Sequence, residues 1–485
     1  MVKKSIKKNY IYNVCYQILV LITPLITTPY VSRVLEADGV GIVSYAESVV
    51  SYFALFAAMG IPTYGQREIS YHQDSLEERS QIFWNTLALK FIMASVALAV
   101  YIVFATHSSY VELYLILAFQ ILAVLVDVTW FFQGLEEFGK IVLRNTFFKV
   151  LGIVYIFIFV QEKSDVYVYA FGIAFFALLG NISLWRYLPS YVNRPHVAEL
   201  QPFKHIGVVL SLFIPTIAIQ VYTVLDKTMI GLITESAYEN GYYEQAMKVS
   251  KMALAVVTSL GTVMVPRIGA YFQERRYDDI QHLMYRSYRF VWMIGIPMCL
   301  GLILTSRNFV PWFFGPGFER VSDIIDISAF LILAIGISNV TGIQYFVPTG
   351  RQNLLTASVL IGAGVNFALN LFLIARWQSV GAAIASIVAE CAVTVSQFVM
   401  VRRELSIVRA VRQSGHYAVA GLIMTLGLYV VGASLLPTPM NTVLLIVLGI
   451  VLYAASLWAM RDEFFVGNVA KALRNVREKL YNKEG

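Results

Sequence analysis

Apolar segments of about 20 residues follow one another along this chain with short polar breaks between them, and that pattern leaves one kind of fold. Each segment is long enough to cross the roughly 30 Å hydrocarbon core of a bilayer as a helix. In that medium every backbone polar group needs an internal partner, so spanning segments are helical unless they close a barrel. The segments lie roughly at 9–31, 40–64, 81–106, 111–134, 141–161, 166–189, 207–233, 243–265, 286–306, 325–347, 352–375, 380–402, 413–435 and 440–460. The chain is 58% hydrophobic and only 14% charged over 485 residues. A soluble domain is nearer 45–50% apolar and about 25% charged. The expected fold is therefore an all-α polytopic membrane protein of about 14 transmembrane helices, with no room for a large soluble domain.

The basic residues orient the chain. Of the 37 lysines and arginines, roughly 27 fall on the side that holds the N-terminus and roughly 5 on the other, counting alternate loops. That bias places both termini in the cytoplasm. It also accounts for most of the net charge of +7, with no need for a nucleic-acid partner.

A shift of 200 residues lays Gly41 on Gly241, Ala46 on Ala246 and Arg67 on Arg267. Each half of this repeat holds an even number of spans, so the halves run in parallel about an axis along the membrane normal. The expected organisation is an N-lobe at 1–189 (spans 1–6), a cytoplasmic linker at 190–206 and a C-lobe at 207–402 (spans 7–12). Two further spans at 403–460 and a basic amphipathic tail at 461–485 complete it. In the tail Val466, Val469, Leu473, Val476 and Leu480 recur at helical spacing between Lys471, Arg474, Arg477 and Lys479. Such a helix lies on the inner leaflet.

Ionisable residues inside the spans stand out, because each costs roughly 2.5–3.5 kcal/mol on insertion scales unless it meets a partner or water. Asp226 and Lys227 sit side by side in the seventh span. Glu244, Lys248 and Lys251 share one face of the eighth, at spacings of four and three. The two span ends are neighbours, so these five charges are expected to gather. Glu47, Lys90, Asp127, Lys149 and Glu390 also fall within spans. Five acids and five bases permit full mutual pairing, so a helix-locking network and a substrate or coupling-ion site both remain open. Prolines within spans, among them Pro24, Pro29, Pro215 and Pro297, permit kinks.

No Walker loop, His-Glu-x-x-His, Cys-x-x-Cys or nucleotide fingerprint is present in the sequence, so an enzyme is not expected. The three cysteines lie in spans and read as small apolar residues. No cofactor is implied, and a coupling ion, Na⁺ or H⁺, stays open beside membrane potential as the drive.

Three stretches carry a family resemblance. They are Pro29-Tyr-Val-Ser-Arg33-Val-Leu running on to Gly39-Val-Gly41, Asp127-Val-Thr-Trp130-Phe-Phe-Gln-Gly134-Leu-Glu136, and Tyr222-Thr-Val-Leu-Asp226-Lys227-Thr-Met-Ile-Gly231 followed by Gly241-Tyr-Tyr243-Glu-Gln-Ala246-Met-Lys248. The chain resembles the Wzx-type oligosaccharide flippases, the polysaccharide branch of the superfamily that also holds MATE multidrug exporters and MurJ lipid II flippases. The resemblance implies two six-helix lobes, a central cavity and alternating access in a bacterial plasma membrane. It implies as cargo a polyprenyl-diphosphate-linked oligosaccharide bound for O-antigen, capsule or exopolysaccharide. Spans 13 and 14 resemble the extra pair of MurJ-like members. A polysaccharide polymerase and chain-length proteins are the partners such a flippase would work beside, with membrane lipids around it.

Anionic cargo suits a cavity with cations, because phosphate contacts are charge-assisted. Asp226, Lys227, Glu244, Lys248, Lys251, Arg33, Lys90 and Asp127 are the candidates for binding substrate or a coupling ion. Gln17, Gln220, Tyr222, Asn339, Gln344, Asn366 and Asn370 could meet the sugars. A cation-coupled MATE-like exporter is the first alternative, and would prefer acidic and aromatic walls. An envelope-synthesis enzyme is the second, and would leave the repeat unexplained. The charge bias makes a direct prediction. Reporter fusions after Lys163 should read external and fusions after Arg351 cytoplasmic, and the reverse would overturn the repeat as well as the topology.

Overall fold

The computed structural model describes residues 6–194 and 197–467, and among them every regular element is helical. Among the described residues ten helices are long and apolar enough to cross a membrane, or up to eleven if one bent pair is a single span. The two longest, Ile6–Ala58 and Gln352–Val401, are each broken at one residue, Glu36 (φ 59°) and Gln378 (φ 55°). Each therefore holds two of the expected spans, and the arrangement is consistent with fourteen. In the first helix the left-handed residue is Glu36, not Pro24 or Pro29, which stay within it. Pro195 and His196 of the linker lie outside the described residues. So do residues 468–485, which hold most of the expected amphipathic tail.

The chain forms two compact units. The first comprises Met1–Gln245 with Asn370–Ala382, the second Ala246–Leu369 with Ala383–Gly485. In the first, Val43, Val50, Tyr101, Leu113, Leu117 and Ala174 bury a common core. They come from the helices Ile6–Ala58, Leu76–Thr106, Val111–Val126 and Val166–Ser183. A separate aromatic core joins Phe83, Trp130, Phe131 and Phe132. It explains the Trp-Phe-Phe-Gln-Gly stretch. A Cβ on Gly65 would stand 2.3 Å from the Trp130 ring, and one on Gly134 would stand 2.8 Å from the Gln66 carbonyl oxygen. Glycines on both helices thus let Ile61–Tyr71 and Thr129–Gly134 approach closely, as small residues do between membrane helices.

The internal repeat has a physical counterpart in the same unit. A Cβ on Gly41 would lie 1.7 Å from the Ala237 carbonyl oxygen, and one on Gly241 would lie 1.9 Å from that of Ala37. The contact is reciprocal under the shift of 200 residues: each glycine sits beneath the carbonyl of the other repeat's alanine. The same shift relates the helix starts at Ile61 and Gly261. Beside the break at Glu36, Lys163 reaches Glu36 at 2.7 Å and Asp38 at 2.9 Å. These two carboxylates hold the Lys163 ammonium above its ordinary range.

The second unit is organised on the helix Tyr277–Phe314. Ile296, Tyr417, Met424, Leu428 and Leu445 pack the added helices Gly415–Gly432 and Pro439–Ala459 against it. Polar contacts pin the pair at both ends. At one end the Thr442 hydroxyl donates to Asn308 at 2.6 Å and accepts from the Trp312 indole at 2.8 Å. At the other, the buried Asp462 carboxylate accepts from Arg289 and from the Phe465 N–H, both at 2.8 Å, and from Tyr417 at 3.2 Å. Burial alone would raise the Asp462 carboxyl, but these donors outweigh it and hold it below the ordinary carboxylate range.

The Gly41–Gly241 crossing is open to test. Gly41→Ala forces a methyl into a carbonyl, and overpacking of this kind costs about 1–3 kcal/mol. Gly364→Ala meets nothing within 4 Å. Thermal unfolding of the purified protein should therefore fall for Gly41→Ala and stay level for Gly364→Ala.

Candidate functional site

Asp226, Lys227 and Thr228 are consecutive residues of the helix Ile206–Thr234. Neighbours on a helix point about 100° apart, so the three side chains find different partners. The Asp226 carboxylate is 8% exposed. It accepts a hydrogen bond from the Tyr243 hydroxyl and another from the Asn370 amide at 2.7 Å. Lys227 pairs with Glu244, with both side chains mostly buried. Ser44 donates to the same Glu244 carboxylate at 3.2 Å. The Thr228 hydroxyl lies 2.9 Å from that of Ser48 and 3.1 Å from that of Tyr52.

The backbone here is held too. The Asn240 amide donates to the Lys227 carbonyl at 2.9 Å and accepts from the Gly231 N–H at 3.1 Å. The structure therefore brings Asp226, Lys227 and Glu244 together. The acid of the Asp-Lys dipeptide is held by a phenol and an amide, and the base by Glu244. Asn370, expected as a sugar contact, is instead fully buried against Asp226. Gln344, expected in the same role, is buried and donates to Asn339 at 3.3 Å.

Glu239 joins this region and was missed in the sequence, where it falls in the short connection between the seventh and eighth spans. It is 6% exposed. Its carboxylate accepts from the Ser379 N–H at 3.0 Å and from the Ser379 hydroxyl. Ser379 directly follows the break at Gln378. Glu239 thus supplies the acceptor that the first N–H of a new helix needs. The signal available was its position two residues before Gly241, at the start of a helix whose positive end favours an acid.

A second polar assembly occupies the first unit. Lys90 is fully buried and donates to the Asp127 carbonyl at 2.6 Å, with the Asp127 carboxylate 4.0 Å away. That carboxylate accepts from the Thr129 N–H at 2.9 Å and from the Thr129 hydroxyl. Arg144 donates to the Thr129 hydroxyl at 3.0 Å and to Asn181 at 2.5 Å. Asp127 and Val128 separate the helices Val111–Val126 and Thr129–Gly134. The buried lysine therefore serves a carbonyl that the break leaves without its helical donor.

Arg33 is exposed and donates to the Pro29 carbonyl at 3.3 Å on its own helix. Glu47 accepts from Gln120 at 3.3 Å. Lys248 and Lys251 belong to the second unit, on the helix Ala237–Thr258 that also carries Glu244; Lys248 is half-buried and Lys251 exposed.

The sequence model for polysaccharide biosynthesis proteins matches residues 6–272, more than half of the chain. The chain belongs to that family. A protein of Escherichia coli (strain K12) named "Putative O-antigen transporter" is 24% identical over 407 residues, which cover 82% of this chain and 97% of that one. Among solved structures, the fold matches "Lipid II flippase MurJ, inward closed conformation" with a TM-score of 0.72 at 15% identity, over 93% of this chain and 99% of that one. An inward-facing MATE-family multidrug resistance transporter of the MOP superfamily matches with a TM-score of 0.59 at 12% identity, over 81% of this chain and 98% of that one. This member of the polysaccharide biosynthesis family therefore shares the fold of both.

The contacts of Asp226 separate a structural role from a functional one. Asp226→Asn keeps an acceptor for Asn370 and can exchange donor and acceptor with the Tyr243 hydroxyl, so thermal stability should change by less than about 1 kcal/mol. Asp226→Ala leaves both partners unsatisfied and should cost about 1–3 kcal/mol for each. Severe loss of transport in Asp226→Asn, with its melting temperature kept, marks the charge as functional. Normal transport in that variant would reduce Asp226 to a helix lock.

Proposed function

We propose that this chain is a flippase. It carries polyprenyl-diphosphate-linked oligosaccharide repeat units from the inner to the outer leaflet by alternating access, and so feeds synthesis of O-antigen, capsule or exopolysaccharide. The observation that carries this reading is membership of the polysaccharide biosynthesis family in a chain built almost wholly of membrane-length helices. A family role in glycan assembly, joined to such a body, favours movement of a glycan across the bilayer over its chemical synthesis. The 24% identity to the E. coli (strain K12) protein named "Putative O-antigen transporter" points the same way.

The helices Gly415–Gly432 and Pro439–Ala459 favour the flippase over a drug exporter. The MurJ match extends over 93% of the chain and the MATE match over 81%. The uncovered share in the second case leaves room for this added pair. On this reading both termini face the cytoplasm of a plasma membrane. Na⁺ or H⁺ drives the cycle, with the buried carboxylates as the groups that would exchange it. A polymerase and chain-length proteins would take over the cargo.

In the same proposal Lys248 and Lys251 offer positive charge to the diphosphate, with Glu244 keeping the site weak enough to release it. Two cations four and seven residues along from an acid bind an anion by point charge. Vesicles containing the protein and a labelled polyprenyl-diphosphate saccharide test this. The label should cross with the protein present. Lys248→Gln and Lys251→Gln should each weaken lipid binding several-fold, and the double change should weaken it further. Drug efflux without lipid movement would return the reading to a MATE-like exporter. Unchanged lipid binding with lower thermal stability would leave both lysines as helix staples.

A further inference from the structure

The turn that follows Val401, on the side the charge bias assigns to the cytoplasm, has a construction the transport reading does not use. Residues 402–406 link the helices Gln352–Val401 and Ile407–Arg412. Side chains from the helix Tyr277–Phe314 hold this turn. Gln281 donates to the Glu404 carbonyl at 2.8 Å, the Tyr285 hydroxyl accepts from the Ser406 N–H at 2.7 Å, and Trp292 donates to the Ala410 carbonyl at 2.9 Å. Leu405 and Ala410 are each 3% exposed and fasten the turn from below. The backbone here is fixed before any ligand arrives.

Above this floor is a cavity of about 580 Å³, lined among others by Gln281, Tyr285, Arg402, Arg403, Glu404 and Arg409. Its one acid is already neutralised. Arg351 donates to both Glu404 carboxylate oxygens at 2.6 Å, and the Tyr345 hydroxyl donates to one of them. The Arg409 guanidinium lies 4.5 Å over the Tyr285 ring, which orients it without consuming its charge. Arg402 and Arg403 are exposed, and neither forms an ion pair among the described residues. Three guanidinium groups thus line one preformed hollow whose carboxylate is spent elsewhere. Topology alone asks for positive charge near a span end. It does not ask for a clamped backbone or a cavity.

The neighbouring residues state where the hollow sits. Val408 is 75% exposed and Val411 45% exposed on the short helix that carries Arg409 and Arg412. Bare valines among arginines belong at the boundary between lipid tails and headgroups. We propose that this turn binds the phosphate of an anionic lipid headgroup, with Arg402, Arg403 and Arg409 as the donors. Guanidinium groups suit the task because they present paired N–H donors to phosphate oxygens. The site is tested without measuring transport.

The experiment uses the full chain in nanodiscs of phosphatidylcholine with a small share of phosphatidylglycerol, and reads retained lipid by native mass spectrometry. Arg402→Gln with Arg403→Gln, and Arg409→Gln alone, remove charge from the hollow. Arg412→Gln removes the same charge from the same segment outside it. The wild type should retain phosphatidylglycerol over phosphatidylcholine. Each lining arginine lost should weaken that preference roughly fivefold, the value of one cation near a membrane surface. Arg412→Gln should leave it unchanged. Competition then separates the sources of the phosphate. Displacement by a short polyprenyl diphosphate at lower concentration than phosphatidylglycerol assigns the site to cargo, and the opposite order assigns it to bilayer lipid; either supports a phosphate site. Equal retention by the wild type and the lining variants, or an equal drop for Arg412→Gln, overturns it.

Discussion

A carboxylate that enters a bilayer must find donors, and much of the first unit follows from how three acids find them. Asp226 takes donors from Tyr243 and Asn370, Glu244 from Lys227 and Ser44, and Glu239 from Ser379. Each satisfied acid ties two separate parts of the chain together. Hydrophobicity cannot set register between membrane helices, since lipid tails are as apolar as leucine. Directional polar contacts can. Removing one member of a buried pair costs about 3–5 kcal/mol. These residues therefore fix which helices meet, whatever else they do in transport.

The helical, multi-span character was legible because each run of apolar residues reports its medium directly. The repeat was legible from Gly41 and Gly241, because a position with no space for a side chain tolerates little else. Other features were hidden for physical reasons. The break at Glu36 could not be read, because an ordinary glutamate gives no sign that its backbone is left-handed, and nearby prolines drew attention instead. Glu239 was invisible as a buried acid because it lies at a span end, where an acid is cheap. The gathering of charges near Asp226 was read correctly for Lys227 and Glu244. The role of Asn370 was not, because the residues it joins are 144 positions apart, and spacing carries no information at that range.

The two helices of the reciprocal glycine crossing also carry part of the polar cluster, and the helix Ile206–Thr234 carries the remainder. Gly231, on that last helix, would place a Cβ 2.2 Å from the Tyr45 ring. The Ile6–Ala58 helix therefore meets the Ile206–Thr234 helix through a ring on a glycine and through Ser48 and Tyr52 on Thr228. Close backbone approach and hydrogen bonding reinforce each other here. The glycines bring the helices near enough for short hydroxyl side chains to reach across, and the hydroxyls hold a separation that dispersion alone would leave loose.

The left-handed residue at Gln378 has a further consequence. Gly381 lies against the Leu373 carbonyl, where a Cβ would come within 2.1 Å. In a continuous helix residues eight apart stand about 12 Å apart along the axis, so the chain doubles back here within a residue or two. A connection that short has no slack. The two helical arms on either side of Gln378 cannot slide, tilt or rotate independently near their joined ends. They form a tight hairpin whose joined ends move together. A probe placed on one arm near this turn therefore reports the motion of both joined ends.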